Sequence, residues 1–187
     1  MAKGRLIVLT GPSGVGKGTL LRLLLNRHSE LNLSISATTR PPRPGEVHGK
    51  DYYFVELEQF QQMIEHDELL EWAEFAGNYY GTPRRAVEEK ISQGDWVILE
   101  IELIGARKVR DVFPEAFTIF LLPPSLQELE QRLRSRGHDS EESISRRLQR
   151  AKTEITAAPE FDIQVVNDAL DEALYKIQAA LFTTVEC

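Results

Sequence analysis

Residues 5–19 read RLIVLTGPSGVGKGT, and this stretch decides the fold. Its first six residues form a short apolar run that predicts a buried β-strand, and a glycine-rich turn follows. Residues 17–28 are rich in leucine and predict a helix directly after the turn. The sequence Gly11-Pro-Ser-Gly-Val-Gly16-Lys17 therefore stands between a strand and a helix, which is the setting of a phosphate-binding P-loop. A chance glycine turn is the alternative, and the lysine in register argues against it.

The turn supplies the chemistry that binding of a nucleoside triphosphate requires. Glycines let successive backbone N–H groups converge on phosphate oxygens, and the helix N-terminus adds its positive dipole end. Lys17 can reach the β- and γ-phosphates and neutralise charge that develops during transfer. The expected ATP-binding residues of the turn are Gly11, Pro12, Ser13, Gly14, Val15, Gly16, Lys17, Gly18 and Thr19.

The position after the lysine departs from the usual P-loop pattern. A Ser or Thr that binds Mg²⁺ normally stands there, whereas this chain has Gly18, with Thr19 one residue later. We therefore expect the Mg²⁺ that accompanies ATP to be held by phosphates, water and a carboxylate. Relief of crowding at the helix start is an alternative reason for the glycine, and both reasons can hold together.

Further apolar runs alternate with helical patterns along the chain. Residues 96–101, 117–122 and 163–166 predict strands bounded by turn residues. Strands that alternate with helices predict an α/β fold with a mostly parallel sheet covered by helices on both faces. Residues 36–83, rich in Pro, Gly, Tyr and charge, break the alternation and predict an inserted subdomain.

Capping signals mark the later helices. Ser125-Leu-Gln-Glu128 is a capping box that predicts a helix to about residue 135. Asp139 is expected to cap a second helix that ends near residue 155, and residues 168–182 predict the last helix.

Composition narrows the class of protein. The chain has 187 residues, of which 42% are hydrophobic and 27% charged, and these values are typical of a single globular domain. A net charge of -7 argues against broad binding to nucleic acid or anionic membranes. The single cysteine is Cys187, which excludes an intramolecular disulfide. The N-terminal apolar run is too short for a signal peptide or a membrane span, so we expect a cytoplasmic protein.

The residues that bind the phosphoryl acceptor are sought in the proline-rich stretch SATTRPPRPGE, residues 36–46. Arg40 and Arg43 lie three residues apart across prolines, and they form a stiff cationic loop suited to forked contacts with a phosphate. Tyr52 and Tyr80 can add hydroxyl donors. Isolated arginines are usually solvated surface charges, but the neighbouring prolines and tyrosines favour a binding site here.

At this point the sequence resembles a known family. Residues 36–54 (SATTRPPRPGEVHGKDYYF) and 71–82 (EWAEFAGNYYGT) are similar to the nucleotide-monophosphate-binding region of guanylate kinases. The P-loop, Arg134-Ser-Arg136-Gly137 and the Val-Asn-Asp that contains Asn167 match in the same order. The resemblance runs from about residue 5 to residue 182. It implies transfer of the γ-phosphoryl group of ATP to GMP, giving ADP and GDP, in purine nucleotide metabolism and GMP recycling.

The resemblance also implies residue roles in the acceptor site. The expected GMP-binding residues are Ser36, Arg40, Arg43, Tyr52, Glu71, Tyr80, Thr82 and Glu102. A carboxylate such as Glu71 can accept both guanine donors, N1–H and the 2-amino group, whereas adenine offers no such pair. Taken without the resemblance, Glu71 is better interpreted as an exposed helix carboxylate.

The stretch that begins at Glu100 departs from the family pattern. The family has Asp-x-Asp-x-Gln-Gly, whereas this chain has Glu100-Ile-Glu102-Leu-Ile104-Gly. Alternation along the strand places both carboxylates on one side. We expect Glu102 to face the guanine and Glu100 to face the Mg²⁺ region.

An arginine-dense segment resembles the lid that closes over ATP. Arg132, Arg136 and Arg147 are the expected lid arginines, and Asn167 is an expected adenine contact or, alternatively, a helix N-cap partner. For Arg134 and Arg150 a solvated basic face that pairs with glutamates is an equal alternative. The expected catalytic residues are Lys17, Arg40, Arg136 and Arg147, and the ATP-binding set adds Arg132, Arg136 and Asn167 to the turn.

The resemblance implies one domain with three parts. The expected domain covers residues 1–187, with a core at about 1–35, 84–124 and 151–187, a GMP-binding insertion at 36–83 and a lid at 125–150. ATP and GMP are the expected partners, without nucleic acid or membrane, and dGMP use and oligomeric state stay open. A catalytically inactive scaffold module that binds peptides and a kinase with another acceptor are the competing hypotheses. Lys17, Arg40 and Arg43 argue against the scaffold, and Glu71 argues for guanine.

Overall fold

A five-stranded sheet is built from the apolar runs of the chain. The computed structural model describes residues 4–75, 77–135, 137 and 140–182. The strands of this sheet are β1 (Arg5–Thr10), β2 (Leu31–Leu33), β7 (Trp96–Glu100), β8 (Phe117–Leu122) and β9 (Ile163–Val166). Their order across the sheet is β2-β7-β1-β8-β9, with β2 parallel to β7 and β8 parallel to β9.

The central strands are apolar along their length because their residues are buried on both faces of the sheet. Ile119, Phe120 and Leu121 of β8 have no exposed surface. The predicted strands at residues 5–10, 117–122 and 163–166 are confirmed, and the strand predicted at 96–101 ends one residue early. The predicted class, an α/β protein with a parallel central sheet flanked by helices, is confirmed.

A second, four-stranded sheet lies in the segment predicted to be an insertion. Its strands are β3 (Ala37–Thr38), β4 (Tyr53–Phe54), β5 (Leu69–Phe75) and β6 (Asn78–Pro83), in the order β4-β3-β6-β5. The β5–β6 hairpin is antiparallel and pairs Glu71 with Thr82. Phe60 has no exposed surface and packs with Ala37 and Leu69 in the core beneath this sheet.

Seven helices lie in the described residues. They are α1 (Lys17–Arg27), α2 (Leu57–Glu65), α3 (Arg84–Ser92), α4 (Leu103–Val112), α5 (Leu126–Ser135), α6 (Glu141–Ile155) and α7 (Leu170–Phe182). None of these described helices is both long and apolar enough to cross a membrane.

The helix caps confirm one capping prediction and correct another. The Ser125 hydroxyl accepts a hydrogen bond from the Glu128 amide at 3.0 Å, as the capping box predicts. The cap of α6 is Ser140, whose hydroxyl accepts from the Ser143 amide at 3.2 Å. The prediction of Asp139 as that cap was wrong by one position, because serine and aspartate cap helices equally well and the two are adjacent. Asp139 itself lies outside the described residues.

Contacts group the chain into two units, each with its own core. The first comprises the described residues up to Ile7, Glu30–Leu99 and Ile104–Ala116, and it contains the four-stranded sheet with α2, α3 and most of α4. The second comprises Val8–Ser29, Glu100–Leu103 and the described residues from Phe117 onward, and it contains α1, α5, α6 and α7.

Helices α5 and α6 share a small apolar core in the second unit. Leu129 and Leu133 of α5 pack with Ile144 and Ala151 of α6. A Cβ atom built on Gly14 would lie 2.8 Å from a Leu133 methyl group, so this core also supports the glycine-rich turn.

We predict that Leu133→Ala destabilises the protein by about 2–5 kcal/mol, because Leu133 is fully buried and its truncation leaves a cavity. Urea unfolding monitored by circular dichroism measures the loss. Leu126→Ala on the same helix is the matched control, since Leu126 is 36% exposed and its truncation should cost about 0.5 kcal/mol or less. Equal losses in the two variants would contradict the packing described for α5.

Candidate active site

The glycine-rich turn folds as a tight loop between β1 and α1. Gly11 has a φ of 147° and Gly16 a φ of 101°, values that favour glycine. A Cβ atom on Gly11 would meet the Leu121 carbonyl oxygen at 2.5 Å, and one on Gly16 would meet the Asn167 amide nitrogen at 2.5 Å. Both positions therefore require glycine for close packing as well as for backbone conformation.

The first turn of α1 has backbone N–H groups that receive no side-chain cap from the N-cap residue. Gly16 is the N-cap of α1 and provides no side-chain hydrogen bond to the first helical turn. The N–H groups of a helix's first turn have no intrahelical acceptor, and such a terminus binds anions. The Lys17 ammonium group donates to the Gly11 carbonyl at 2.6 Å and to the Pro12 carbonyl at 3.3 Å. The expected phosphate ligands are thus collected at one helix terminus.

A hollow of about 370 Å³ opens beside this turn. Its lining residues are Ser13, Gly14, Gly16, Lys17, Gly18, Thr19, Arg22, Glu100 and Glu102. The hollow therefore combines the glycine-rich turn with the two carboxylates Glu100 and Glu102.

Glu100 lies at the mouth of the hollow, where its side chain still reaches solvent. The surrounding protein removes part of its hydration and raises its pKa. The nearby Lys17 charge opposes this shift, whereas Glu102 adds to it. A Cβ atom on Gly18 would lie 3.7 Å from a Glu100 oxygen, so the residue after the lysine is close to this carboxylate.

Asn167 braces the turn from the end of β9. Its side-chain amide donates to the Val15 carbonyl at 2.8 Å, and its own carbonyl accepts from Arg132 at 3.0 Å. Asn167 is buried, so its contact with the Val15 carbonyl is shielded from water, whereas its contact with Arg132 is partly buried. In this conformation the residue supports the loop backbone, and its expected contact with adenine stays a prediction.

The acceptor-site arginines lie in the first unit. Both terminal oxygens of Glu46 accept from the Arg40 guanidinium, at 2.8 Å and 2.9 Å. The guanidinium lies 5.4 Å from the ring centre of Tyr52, whose ring contacts that of Tyr80. Three of the four residues predicted to bind the acceptor phosphate are therefore clustered. The fourth, Arg43, is exposed, and its backbone amide donates to Glu46 at 2.7 Å.

Glu71 is a buried carboxylate of strand β5. One carboxylate oxygen accepts from the Thr82 hydroxyl at 2.6 Å, across the β5–β6 hairpin. Burial raises the pKa of Glu71, and the Thr82 hydrogen bond and the Lys108 charge oppose this rise. The alternative reading of Glu71 as an exposed helix carboxylate was wrong. Ser36 immediately precedes β3, and its carbonyl accepts from the Tyr53 amide at 2.9 Å.

Glu102 belongs to the second unit, where it follows β7. Its carboxylate accepts from Arg150 at 2.9 Å, and Arg150 also donates to the buried Glu154 at 2.6 Å. Burial raises the pKa of Glu154, with Arg150 acting in the opposite direction. The predicted contact of Glu102 with guanine stays a prediction.

Arg132 and Arg134 of the arginine-dense segment pair with carboxylates. Arg132 donates to Glu128 at 3.0 Å, besides its contact with the Asn167 carbonyl. Arg134 pairs with Glu130 and Glu141, as expected for a solvated basic face. Arg147 is half-buried on α6. Arg136, a predicted catalytic residue, lies outside the described residues.

Sequence reasoning missed the partners of several site residues. Glu46 stands six residues after Arg40, Lys108 is one of several charges on α4, and Glu154 is four residues after Arg150. Only the last spacing carries a signal, the helical i,i+4 pairing of opposite charges. Within the part of the chain that the structure describes, no group of three or more His, Cys, Asp or Glu side chains forms a metal site.

Comparisons with known proteins agree on one family. The family model described as guanylate kinase matches residues 3–184. The chain is 66% identical to a guanylate kinase of Thermosynechococcus vestitus, over 96% of this chain and 94% of that protein. It is 65% identical to one of Nostoc sp., over 96% and 90%.

Solved structures give the same result. A guanylate kinase from Anaplasma phagocytophilum superposes with a TM-score of 0.80 at 33% identity, covering 100% of this chain and 88% of that one. A shikimate kinase from Bacteroides thetaiotaomicron has a TM-score of 0.52 at 17% identity, covering 95% and 98%, and shares the fold alone. The family match and the high identities over nearly whole chains place this protein in the guanylate kinase family.

Proposed function

We propose that this protein transfers the γ-phosphoryl group of ATP to GMP, giving ADP and GDP. The observation that carries the proposal is the buried Glu71–Thr82 pair, which lies in a chain that also has a complete lysine-containing phosphate turn. A P-loop serves many phosphoryl donors and acceptors, so it defines the class of reaction. The buried carboxylate indicates which nucleobase the phosphoryl acceptor carries.

Guanine fits this pair by hydrogen-bond chemistry. Ionised Glu71 only accepts hydrogen bonds, and guanine presents two neighbouring donors, N1–H and the 2-amino group. Adenine offers no such pair, so the buried carboxylate would keep only the Thr82 hydroxyl as its side-chain donor, and the unmade hydrogen bonds discriminate between the two bases. Ser36, Thr82 and Glu102 are the further residues that we assign to the base.

The GMP phosphate is assigned to Arg40, Arg43, Tyr52 and Tyr80. Arg40 donates from one terminal guanidinium nitrogen to both Glu46 oxygens and lies against the Tyr52 ring. A phosphate also offers anionic oxygens, so the guanidinium could exchange the Glu46 carboxylate for the GMP phosphate.

The transfer itself needs no general base. An oxygen of the GMP phosphate, already anionic, attacks the γ-phosphorus in line, and the bond from the γ-phosphorus to the β,γ-bridging oxygen breaks. ADP carries away the bonding electrons as negative charge on that oxygen. Lys17 leaves the Gly11 carbonyl to neutralise the β- and γ-phosphate charge, and Arg132, Arg136 and Arg147 supply further positive charge. Their closure over ATP would also exclude water.

Mg²⁺ is the expected cofactor, and the donor set fits it. Mg²⁺ in kinase sites is commonly held by one or two carboxylates together with substrate phosphates and water. Glu100 lines the hollow of the phosphate turn, close to Gly18, which lacks the usual hydroxyl. We assign Glu100 as the protein ligand. The bound ion would neutralise phosphate charge during transfer.

We place this activity in purine nucleotide metabolism and GMP recycling, in the cytoplasm. The acceptor is GMP, with dGMP as a second candidate. The arrangement is proposed as one functional domain with a core, a GMP-binding insertion at 36–83 and a lid at 125–150.

Lys17→Ala is predicted to reduce ADP release by at least about 100-fold while the fold is retained, because it removes a preorganised charge at the transferring group. A coupled ADP-release assay with GMP, AMP, CMP and UMP measures both turnover and acceptor choice. Lys176→Ala, an exposed lysine of α7, is the matched control. Near-normal turnover in Lys17→Ala, or comparable rates with all four acceptors, would contradict the proposal.

Glu71→Gln is predicted to weaken GMP binding about 10- to 100-fold yet raise the melting temperature at neutral pH. Because the pKa of Glu71 is raised in the folded state, its ionisation costs stability as pH rises from its ordinary pKa through the folded one. The glutamine avoids that cost, and its amide can still pair with the Thr82 hydroxyl.

Calorimetric melting temperatures across the pH range test this prediction. The gap between Glu71→Gln and wild type should widen with rising pH and vanish on acidification. Glu74→Gln, exposed on the same strand, should produce no such pH-dependent gap. A constant gap would show that ionisation of Glu71 does not affect stability.

A further inference from the structure

One face of α4 packs against the guanine-binding carboxylate. A Cβ atom on Gly105 would overlap a Glu71 carboxylate oxygen, so the helix backbone approaches the carboxylate directly. Lys108 follows three residues later, and residues three apart share a helix face. The same face of α4 therefore presents a close backbone contact and a cation to strand β5.

Lys108 is anchored on the residue that follows Glu71. Its ammonium group donates to the Trp72 carbonyl at 2.7 Å and lies 4.7 Å from the Trp72 ring centre. The second distance is within the range of a cation–π interaction. The two contacts fix the lysine from two directions, which is more constraint than a solvated surface lysine has.

Glu71 is approached by a neutral hydrogen-bond donor, by the backbone of α4 and by one cation. Thr82 approaches from β6 as a neutral hydrogen-bond donor, and Gly105 approaches from α4 with backbone alone. Lys108 is the charged group that favours the ionised carboxylate against the effect of burial on its pKa. A neutral donor and a cation stabilise a buried carboxylate in different ways, and only the cation acts through long-range charge.

We propose that Lys108 is a positioning residue for guanine selection: it holds strand β5 at Trp72 and supplies the positive charge that keeps the adjacent Glu71 carboxylate ionised. Lys108 does not touch the nucleotide in this scheme; it acts through Glu71. The inference rests on the proposed role of Glu71 in guanine binding. A protonated Glu71 would present an O–H donor where guanine requires acceptors, so the charge on the lysine, together with the Thr82 hydrogen bond, extends GMP binding to lower pH.

The test compares Lys108→Gln with Lys108→Arg in the full chain. Glutamine keeps a donor for the Trp72 carbonyl without the charge, and arginine keeps both charge and donor. Isothermal titration gives the dissociation constant for GMP from about pH 4.5, near the ordinary pKa of a glutamate, up to about pH 8. The GMP phosphate also titrates near pH 6, but its effect cancels in the ratio of variant to wild-type constants.

For Lys108→Gln the ratio is expected to rise toward about tenfold as pH falls, because loss of the positive charge makes the Glu71 carboxylate easier to protonate. For Lys108→Arg it should stay near one at every pH. A pH-independent ratio in Lys108→Gln, or the same pH dependence in Lys108→Arg, would overturn the inference. If Lys108→Gln does not fold, Lys108→Met replaces it.

Glu71→Gln separates this inference from the proposed function. If Glu71→Gln binds GMP as tightly as wild type does, the guanine role of Glu71 fails and the inference fails with it. If Glu71→Gln loses affinity while Lys108→Gln gives a pH-independent ratio, only the role of Lys108 fails.

Discussion

The turn between β1 and α1 functions only if its backbone is packed with no room for side chains. The Leu121 carbonyl lies against Gly11, and the Asn167 amide lies against Gly16 while donating to the Val15 carbonyl. These contacts hold left-handed glycine conformations that direct backbone N–H groups toward one point. Residues at the ends of strands β8 and β9 therefore hold the backbone of the glycine-rich turn in place, in addition to the role of these strands in the sheet. The charges that line the neighbouring hollow, such as Lys17 and Glu100, lie beside a loop whose backbone position this packing defines.

Carboxylates that lose part of their hydration recur around the predicted binding residues, and each has a nearby cation that opposes protonation. Burial raises the pKa of Glu71, Glu100 and Glu154, and the opposing charges belong to Lys108, Lys17 and Arg150. A carboxylate that must accept from a base or hold a metal has to stay ionised, whereas burial favours protonation. A nearby cation favours the ionised carboxylate, although its attraction does not fully offset the free energy lost when the carboxylate is dehydrated. The protein thus carries local instability at and beside its predicted binding residues.

Short sequence patterns predicted the elements that form from neighbouring residues, namely single strands, helices and the glycine-rich turn. The apolar runs gave β1, β8 and β9 within their observed bounds, and the glycine turn was recognised from its strand and helix neighbours. The α6 cap was placed one residue early because adjacent Asp and Ser compete equally for that position. The pairing of Arg40 with Glu46, and of Lys108 with Trp72, could not be predicted, since tertiary packing creates both contacts. Glu71 required the resemblance, because a single glutamate in a hairpin carries no periodic signal of burial.

The cations assigned to phosphate binding are already engaged with oxygens of the protein. Lys17 donates to the Gly11 carbonyl, Arg40 to Glu46, and Arg132 to the Asn167 carbonyl. Nucleotide binding therefore exchanges one set of hydrogen bonds for another, and only the difference in free energy appears as affinity. Such exchange keeps each side chain near its working position, which lowers the entropic cost of ordering it. It also limits how tightly ground-state nucleotides are held, and that favours release of products after transfer. In the proposed reaction, negative charge develops on the transferring phosphoryl group. That charge attracts these cations more strongly than the oxygens of the protein do.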